Sequence, residues 1–172
     1  TASNGDKLQI KQTLKYAKAL ATAQRAKNKQ RVKAIHAKIK HTRQDLIHKF
    51  TTQLVKDNAL IVVGDVRTTQ FNSKKGKLAK SVYDAGWFEL KRQLTYKCEN
   101  AGCRFEIVNE KYTTQTCSCC GDMSSSLSGR AGLRIREWTC ATCGTRHDRD
   151  INASKNILAV GLNRLVEGIP SL

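Results

Sequence analysis

Five of the seven cysteines in this 172-residue chain crowd between Cys117 and Cys143. Cys117 and Cys120 form one C-x-x-C pair, Cys140 and Cys143 form another, and nineteen residues separate the two. Two such knuckles offer four thiolates to one tetrahedral ion, and the spacing fits a zinc ribbon. Gly121 and Gly144 each follow the second cysteine of a pair, where a tight knuckle calls for a permissive backbone. A redox pair or reduced core cysteines are the alternatives, and Cys119 competes with Cys120 as a ligand. Cys98 and Cys103 have no further ligands near them in sequence and read as buried free thiols. Directly after the last knuckle comes His147-Asp148-Arg149-Asp150-Ile151-Asn152-Ala153-Ser154. Asp and Asn ahead of a helix serve as N-caps. The same carboxylates, beside a metal module in a basic protein, also suit the divalent-metal site with which nucleases generate hydroxide and stabilise a leaving oxygen.

The elements that must carry these residues follow from periodicity. From Lys7 to about Asp57 there is no Gly or Pro, and Ala, Lys, Gln and Leu favour helix. Val32, Ile35, Ile39, Leu46, Phe50 and Leu54 make one apolar stripe, with Lys33, Lys38, Lys40, Arg43 and Lys49 between them. Lys27-Asn28-Lys29 is the expected break of a basic helical hairpin. His36, His41 and His48 have no metal-ligand company there and are expected at the surface or in helix packing. Leu60–Val63 reads as a buried strand. A polar loop from Asn72 to Gly76 follows, with Lys74 and Lys75, and Lys77 just beyond it. A helix is expected from about Leu78 to Asn100, with Trp87, Leu90, Leu94 and Cys98 on one face and a stop at Ala101-Gly102. Phe105–Val108 is a second strand, Leu133–Trp138 the ribbon's hairpin strand, and a last helix runs from about Asn152 to Leu165. Alternation of strand and helix gives an α/β class.

Charge names a class of partner. Lys and Arg total 31 against 14 Asp and Glu, a formal net charge of +17. With 40% hydrophobic residues the chain can fold, and nucleic acid is the default polyanion for it. The basic helix face, with Lys33, Lys38, Lys40 and Arg43, and the loop lysines Lys74, Lys75 and Lys77 are the expected phosphate contacts. No apolar run has the roughly 18 residues of a membrane span, and no signal-peptide pattern opens the sequence.

Residues Thr114 to Gly121, Trp138 to Gly144 and His147 to Ala153 resemble the C-terminal signature of the TnpB family. These are the transposon-encoded RNA-guided nucleases related to type V CRISPR effectors. Lys77 to Ser81 with Asp84 to Trp87 is similar to the loop and helix after the family's second nuclease motif, and the basic helices are similar to the segment before it. The resemblance implies a RuvC-like nuclease of RNase H-like fold, a mixed sheet interrupted by a zinc ribbon. It divides the chain into a basic helical segment (1–57), a nuclease core (58–113), the ribbon (114–146) and the third motif with its helix (147–172). It implies structural zinc on Cys117, Cys120, Cys140 and Cys143, catalytic magnesium, and guide RNA and target DNA as partners, with base pairing reading most of the target. A cytoplasmic, nucleoid-associated location in a prokaryote goes with that reading. Asp150 falls on the third-motif aspartate, with Asp148 and Arg149 as supporting residues.

Two departures from the family pattern stand out. Gly64 occupies the place of the second motif's glutamate, and Asp65 does not replace it, because neighbouring strand residues face opposite ways. Some branches of the family carry this glutamate on the strand that leads to the ribbon. Glu110, seven residues before Cys117, fits that description, and Glu106 is the weaker candidate. The relocation would make Asp150 and Glu110 the magnesium ligands. The first-motif aspartate normally precedes the basic helices, and only Thr1–Asp6 precede them here. The expectation is a sequence that starts inside the nuclease domain, its first strands and third carboxylate lying upstream. The alternative is a nuclease-dead or truncated relative that binds RNA or DNA without cutting, which Gly64 favours. A free-standing zinc-ribbon DNA-binding module would leave the carboxylate motif unexplained.

Overall fold

A positive φ of 51° at Lys27 ends the first helix, and the Asn28 side chain accepts from the Arg31 N–H at 2.9 Å to start the second. The computed structural model describes residues 1–8, 12–65, 86–132 and 134–167. Lys74, Lys75, Lys77 and the expected start of a helix at Leu78 lie outside these. The chain forms two compact units, each assembled from separate stretches of sequence.

The helical unit contains α1 (Gln12–Arg25), α2 (Lys29–Asp57) and α3 (Trp87–Ala101), with α1 and α3 each packed on α2. The hairpin break therefore falls where the sequence places it. The buried line on α2 is narrower than the apolar stripe and shifted from it. Ile39, Ile47 and Thr51 are buried, while Val32, Ile35, Leu46, Phe50 and Leu54 are half-buried. Thr51 can be buried because its hydroxyl lies 3.0 Å from Gln93 Oε1 and accepts from Lys97 Nζ at 2.7 Å. Polar burial with partners of this kind costs little. The α3 face carries buried Leu94 and Cys98 as expected, with Gln93 beside them. Gly86 begins this helix at φ 66°, and a Cβ there would lie 2.7 Å from Ile47 Cδ1, so only glycine allows the approach. Gly102 ends it at φ 67°, its N–H and that of Cys103 turning back to the Glu99 and Cys98 carbonyls. That closure sets Cys103 beside Cys98, whose thiol is pushed up to about 12 by burial and then by Cys103.

In the second unit β1 (Leu60–Gly64) runs parallel to β2 (Arg104–Val108), with Gly64 opposite Val108. Helix α4 (Arg149–Glu167) packs on both strands. At Gly161 the helix lies so near β1 that a Cβ there would meet Val62 Cγ2 at 2.4 Å. The cysteine-rich segment adds a 3₁₀ turn (Ser125–Leu127), one helical turn (Gly129–Gly132) and an antiparallel pair, β3 (Glu137–Thr139) and β4 (Arg146–Asp148). Its core is Cys117, Leu127, Trp138 and Cys140, with Ile135 packed against them.

The α/β reading is met by a parallel strand pair under a helix. Among the described residues the strands form that pair and a separate hairpin, where a mixed sheet was expected. The hairpin strand expected at Leu133–Trp138 is shorter and later, because the backbone at Gly132 is in a helical turn that touches Leu127. The last helix begins three residues earlier than Asn152, since Asp148 supplies the cap.

Candidate metal centre and carboxylate site

Each knuckle is built the same way. The Gly121 N–H donates to the Cys117 carbonyl and the Gly144 N–H to the Cys140 carbonyl, both at 2.9 Å. The Cys117 N–H donates to the Asp122 carbonyl at 2.8 Å and the Cys140 N–H to the Thr145 carbonyl at 2.9 Å. Both glycines have positive φ, 79° and 70°, as the expected tight turn requires. Thr142 Oγ1 donates to Asp122 Oδ2 at 2.8 Å and ties one knuckle to the other.

The four sulfurs of Cys117, Cys120, Cys140 and Cys143 all lie within 4.8 Å of one another. Cys117 to Cys143 and Cys120 to Cys140 are each 3.7 Å. Sulfurs about 2.3 Å from a tetrahedral zinc are about 3.8 Å apart, so the donor set and its spacing fit zinc. Cys119 is exposed and stands outside the quartet, which resolves its competition with Cys120. Proximity drives the thiols apart in acidity. The Thr145 hydroxyl and N–H hold Cys143 down at about 6. At Cys120 the lowering backbone contact with Asp122 is outweighed by desolvation and the neighbouring sulfurs, and the thiol is pushed up to about 12. A divalent cation at the centre relieves charge crowding of this sort.

The segment after the quartet divides its duties residue by residue. His147 is buried, faces Trp138 across the β3–β4 pair with ring centroids 4.7 Å apart, and places Nε2 3.1 Å from Cys117 Sγ. Desolvation, then Lys155, holds its pKa below the ordinary imidazole value. Asp148 Oδ1 accepts from the Asp150 and Ile151 N–H groups at 2.9 and 3.0 Å, an N-cap for α4. Those backbone bonds, that of Ile151 foremost, with Lys7 at 3.7 Å, keep its carboxyl below the usual range. Arg149 is buried, donating its guanidinium to the Gly132 carbonyl and its N–H to the Arg136 carbonyl. Asn152 is fully buried. Its Nδ2 donates to the Thr116 and Thr113 carbonyls at 2.7 and 3.3 Å, and its Oδ1 accepts from the Ser118 N–H at 2.9 Å. Asn156, one turn on, donates to the same two carbonyls. Asp148, Arg149 and Asn152 are thus committed to holding the ribbon and α4 together. Asp150, in the first turn with its side chain 46% exposed, makes a 3.7 Å ion pair with the exposed Arg136 among the described residues.

Glu110 lies two residues beyond β2, in the turn where its carbonyl accepts from the Thr113 N–H and Oγ1. The strand position expected for it is corrected by that much. Its side chain turns back over β1. Glu110 Oε2 is 2.7 Å from the place a Gly64 Cβ would occupy, and Ile157 Cδ1 is 3.2 Å from the same point. Ile157 and Asp150 are seven residues apart on α4, hence on one helix face with about 10 Å of rise between them. Glu106 pairs with Arg104 at 3.1 Å on β2 instead. Among the described residues, only the cysteine quartet gathers three or more metal-ligating side chains. On α2, Lys33, Lys38 and Lys40 are exposed and Arg43 is half-buried, and His36, His41 and His48 are exposed, as expected of surface residues. Lys38 Nζ lies 5.8 Å from the centre of the Tyr16 ring.

Sequence reasoning missed the parts played by His147 and Asn152. The signal for the second was there: Asn152 and Asn156 are spaced by four, so two amides share the packed face of an amphipathic helix.

Two family models match the chain. The Cas12f1-like TNB domain covers residues 87–157, and OrfB_IS605, described as a probable transposase, covers residues 3–73. The chain is similar to TnpB-family proteins along most of its length. Among its relatives is a Streptomyces pristinaespiralis protein assigned as an RNA-guided DNA endonuclease, 40% identical over 146 residues that cover 84% of this chain and 35% of that one. The TnpB-like protein L79 of Acanthamoeba polyphaga mimivirus is 28% identical over 158 residues, 89% of this chain and 29% of that one. The chain spans about a third of the length of the curated TnpB relatives it matches. A cryo-EM structure of a Cas12f1–sgRNA–target DNA complex matches with a TM-score of 0.65 at 15% identity, over 87% of this chain and 42% of that one. At that identity the likeness is one of fold. No helix among the described residues is long and apolar enough to cross a membrane.

Proposed function

We propose that this chain is the C-terminal nuclease portion of an RNA-guided DNA endonuclease, with guide RNA and target DNA as its partners and a nucleoid location. Its β1–β2 pair and α4 would belong to an RNase H-like, RuvC-type domain. The observation that carries the reading is the Glu110 carboxylate over Gly64. A glutamate absent from position 64 is matched by one whose side chain fills the space it left. Asp150, on the α4 face that packs on β1, would be the second ligand carboxylate. Both offer the hard oxygen donors that magnesium prefers. Magnesium bound there would supply the charge that makes hydroxide from water and steadies the leaving oxygen. Asp148 leaves Asp150 free by taking the cap, and Arg149 and Asn152 fix the helix end from which Asp150 projects. The test is cleavage by the full-length protein with its guide in magnesium. Asp150→Ala should abolish cutting and spare target binding, and normal cutting by that variant would refute the assignment.

Gly64 itself favours a second reading, a relative that grips nucleic acid without cutting. That reading predicts no guide-dependent cleavage by the wild-type protein under any divalent metal.

A further inference from the structure

Cys117 is held on three sides by the two ends of one short stretch of chain. His147 Nε2 lies 3.1 Å from its sulfur. Asn152 takes the backbone on both flanks, accepting from the Ser118 N–H and donating to the Thr116 carbonyl. Between His147 and Asn152 stand the cap Asp148 and the carboxylate Asp150. The three residues that make these contacts are sequestered: Cys117 and Asn152 are each 1% exposed and His147 7%. Trp138 fixes the imidazole plane by packing. Its own buried indole Nε1 has no hydrogen-bond partner among the described residues, so it acts on His147 through ring contact.

We propose that His147 is a positioning residue which donates its Nε2–H to the metal-bound Cys117 thiolate and, with Asn152, anchors the first turn of α4 and hence Asp150 to the metal quartet. The inference rests on the quartet being a metal site, and for Asp150 on the nuclease reading above. A thiolate that accepts a hydrogen bond gives up electron density and is held in one orientation, and partners of this sort change metal affinity by about 10- to 100-fold. The ribbon then sets the position of a helix terminus, in addition to folding its own loop.

The experiment uses the full chain loaded with cobalt(II) in place of zinc. His147→Phe keeps the ring against Trp138 and removes the donor. Its sulfur-to-cobalt charge-transfer band should move to lower energy, and it should lose metal to a chelator about 10- to 100-fold more readily. His147→Gln, which restores an N–H donor, should recover part of both. Hydrogen exchange at the Asp150 and Ile151 amides should quicken in His147→Phe and not in Trp138→Phe. Should His147→Phe leave the band and the metal retention of wild type unchanged while Cys117→Ser removes the band, the hydrogen bond has no such role although the quartet stands. If the wild-type chain gives no thiolate-to-cobalt band at all, the metal site and the proposal fall together. If His147→Phe does not fold, His147→Gln decides: a band and metal retention equal to those of His147→Ala would overturn it.

Discussion

The Glu110 carboxylate occupies the space in front of Gly64, with Oε2 2.7 Å and Cβ 3.1 Å from the point where a Cβ on Gly64 would stand. Glycine at 64 and glutamate at 110 are therefore one arrangement. Any side chain at 64 displaces the carboxylate, and the flexible end of Glu110 yields before the backbone does. Gly64→Ala should lower cleavage by about 100-fold, the scale of a 1 Å misplacement, with a small change in melting temperature. The exchange Gly64→Glu with Glu110→Ala should recover cleavage relative to Glu110→Ala alone. Rates and melting temperatures measured side by side check both.

Metal removal tests the quartet. Elemental analysis should find about one zinc per chain, as four thiolates require. Cys140→Ser, or a strong chelator, should lower that content and unfold the β3–β4 hairpin, read as lost protection of its amides. Cys119→Ser should leave zinc content unchanged, since that thiol is exposed and outside the quartet.

Asp148 gives a pH dependence with a defined sign. Its folded pKa is lowered, by the Ile151 and Asp150 N–H groups and by Lys7, so its stabilisation is present above the ordinary carboxylate pKa and fades as pH falls through the lower folded value. Asp148→Ala should cost about 1 kcal/mol at pH 7, and the gap from wild type should close in acid. Thermal melts at neutral pH and near pH 3 measure it.

The basic face of α2 should make nucleic-acid affinity fall steeply with salt. Removing Lys33, Lys38 and Lys40 together should flatten the log–log slope by about 0.9 per lost duplex phosphate contact, or about 0.7 per single-strand contact. A slope equal to that of wild type would take these residues out of the interface.

What the sequence made legible was what is local. The knuckles follow from C-x-x-C-G and the residue after it, because six consecutive residues contain the whole turn. The break at Asn28 and the stop at Gly102 are equally short-range. The buried line on α2 was not readable, since Thr51 goes inside only because Gln93 and Lys97 meet it from α3. Asn152 and Arg149 bond to backbone carbonyls far away in sequence, at Thr113, Thr116 and Gly132, and no periodicity encodes such partners. The Glu110 candidate came from a family resemblance plus a missing glutamate. Only the fold shows that its side chain turns back over Gly64.

The most direct measurement is cleavage and target binding by Glu110→Ala in the full-length protein, with its guide RNA and magnesium. With the Glu110 carboxylate holding magnesium, cutting should fall to background while target binding stays at the wild-type level. Cutting at the wild-type rate by Glu110→Ala would contradict that role.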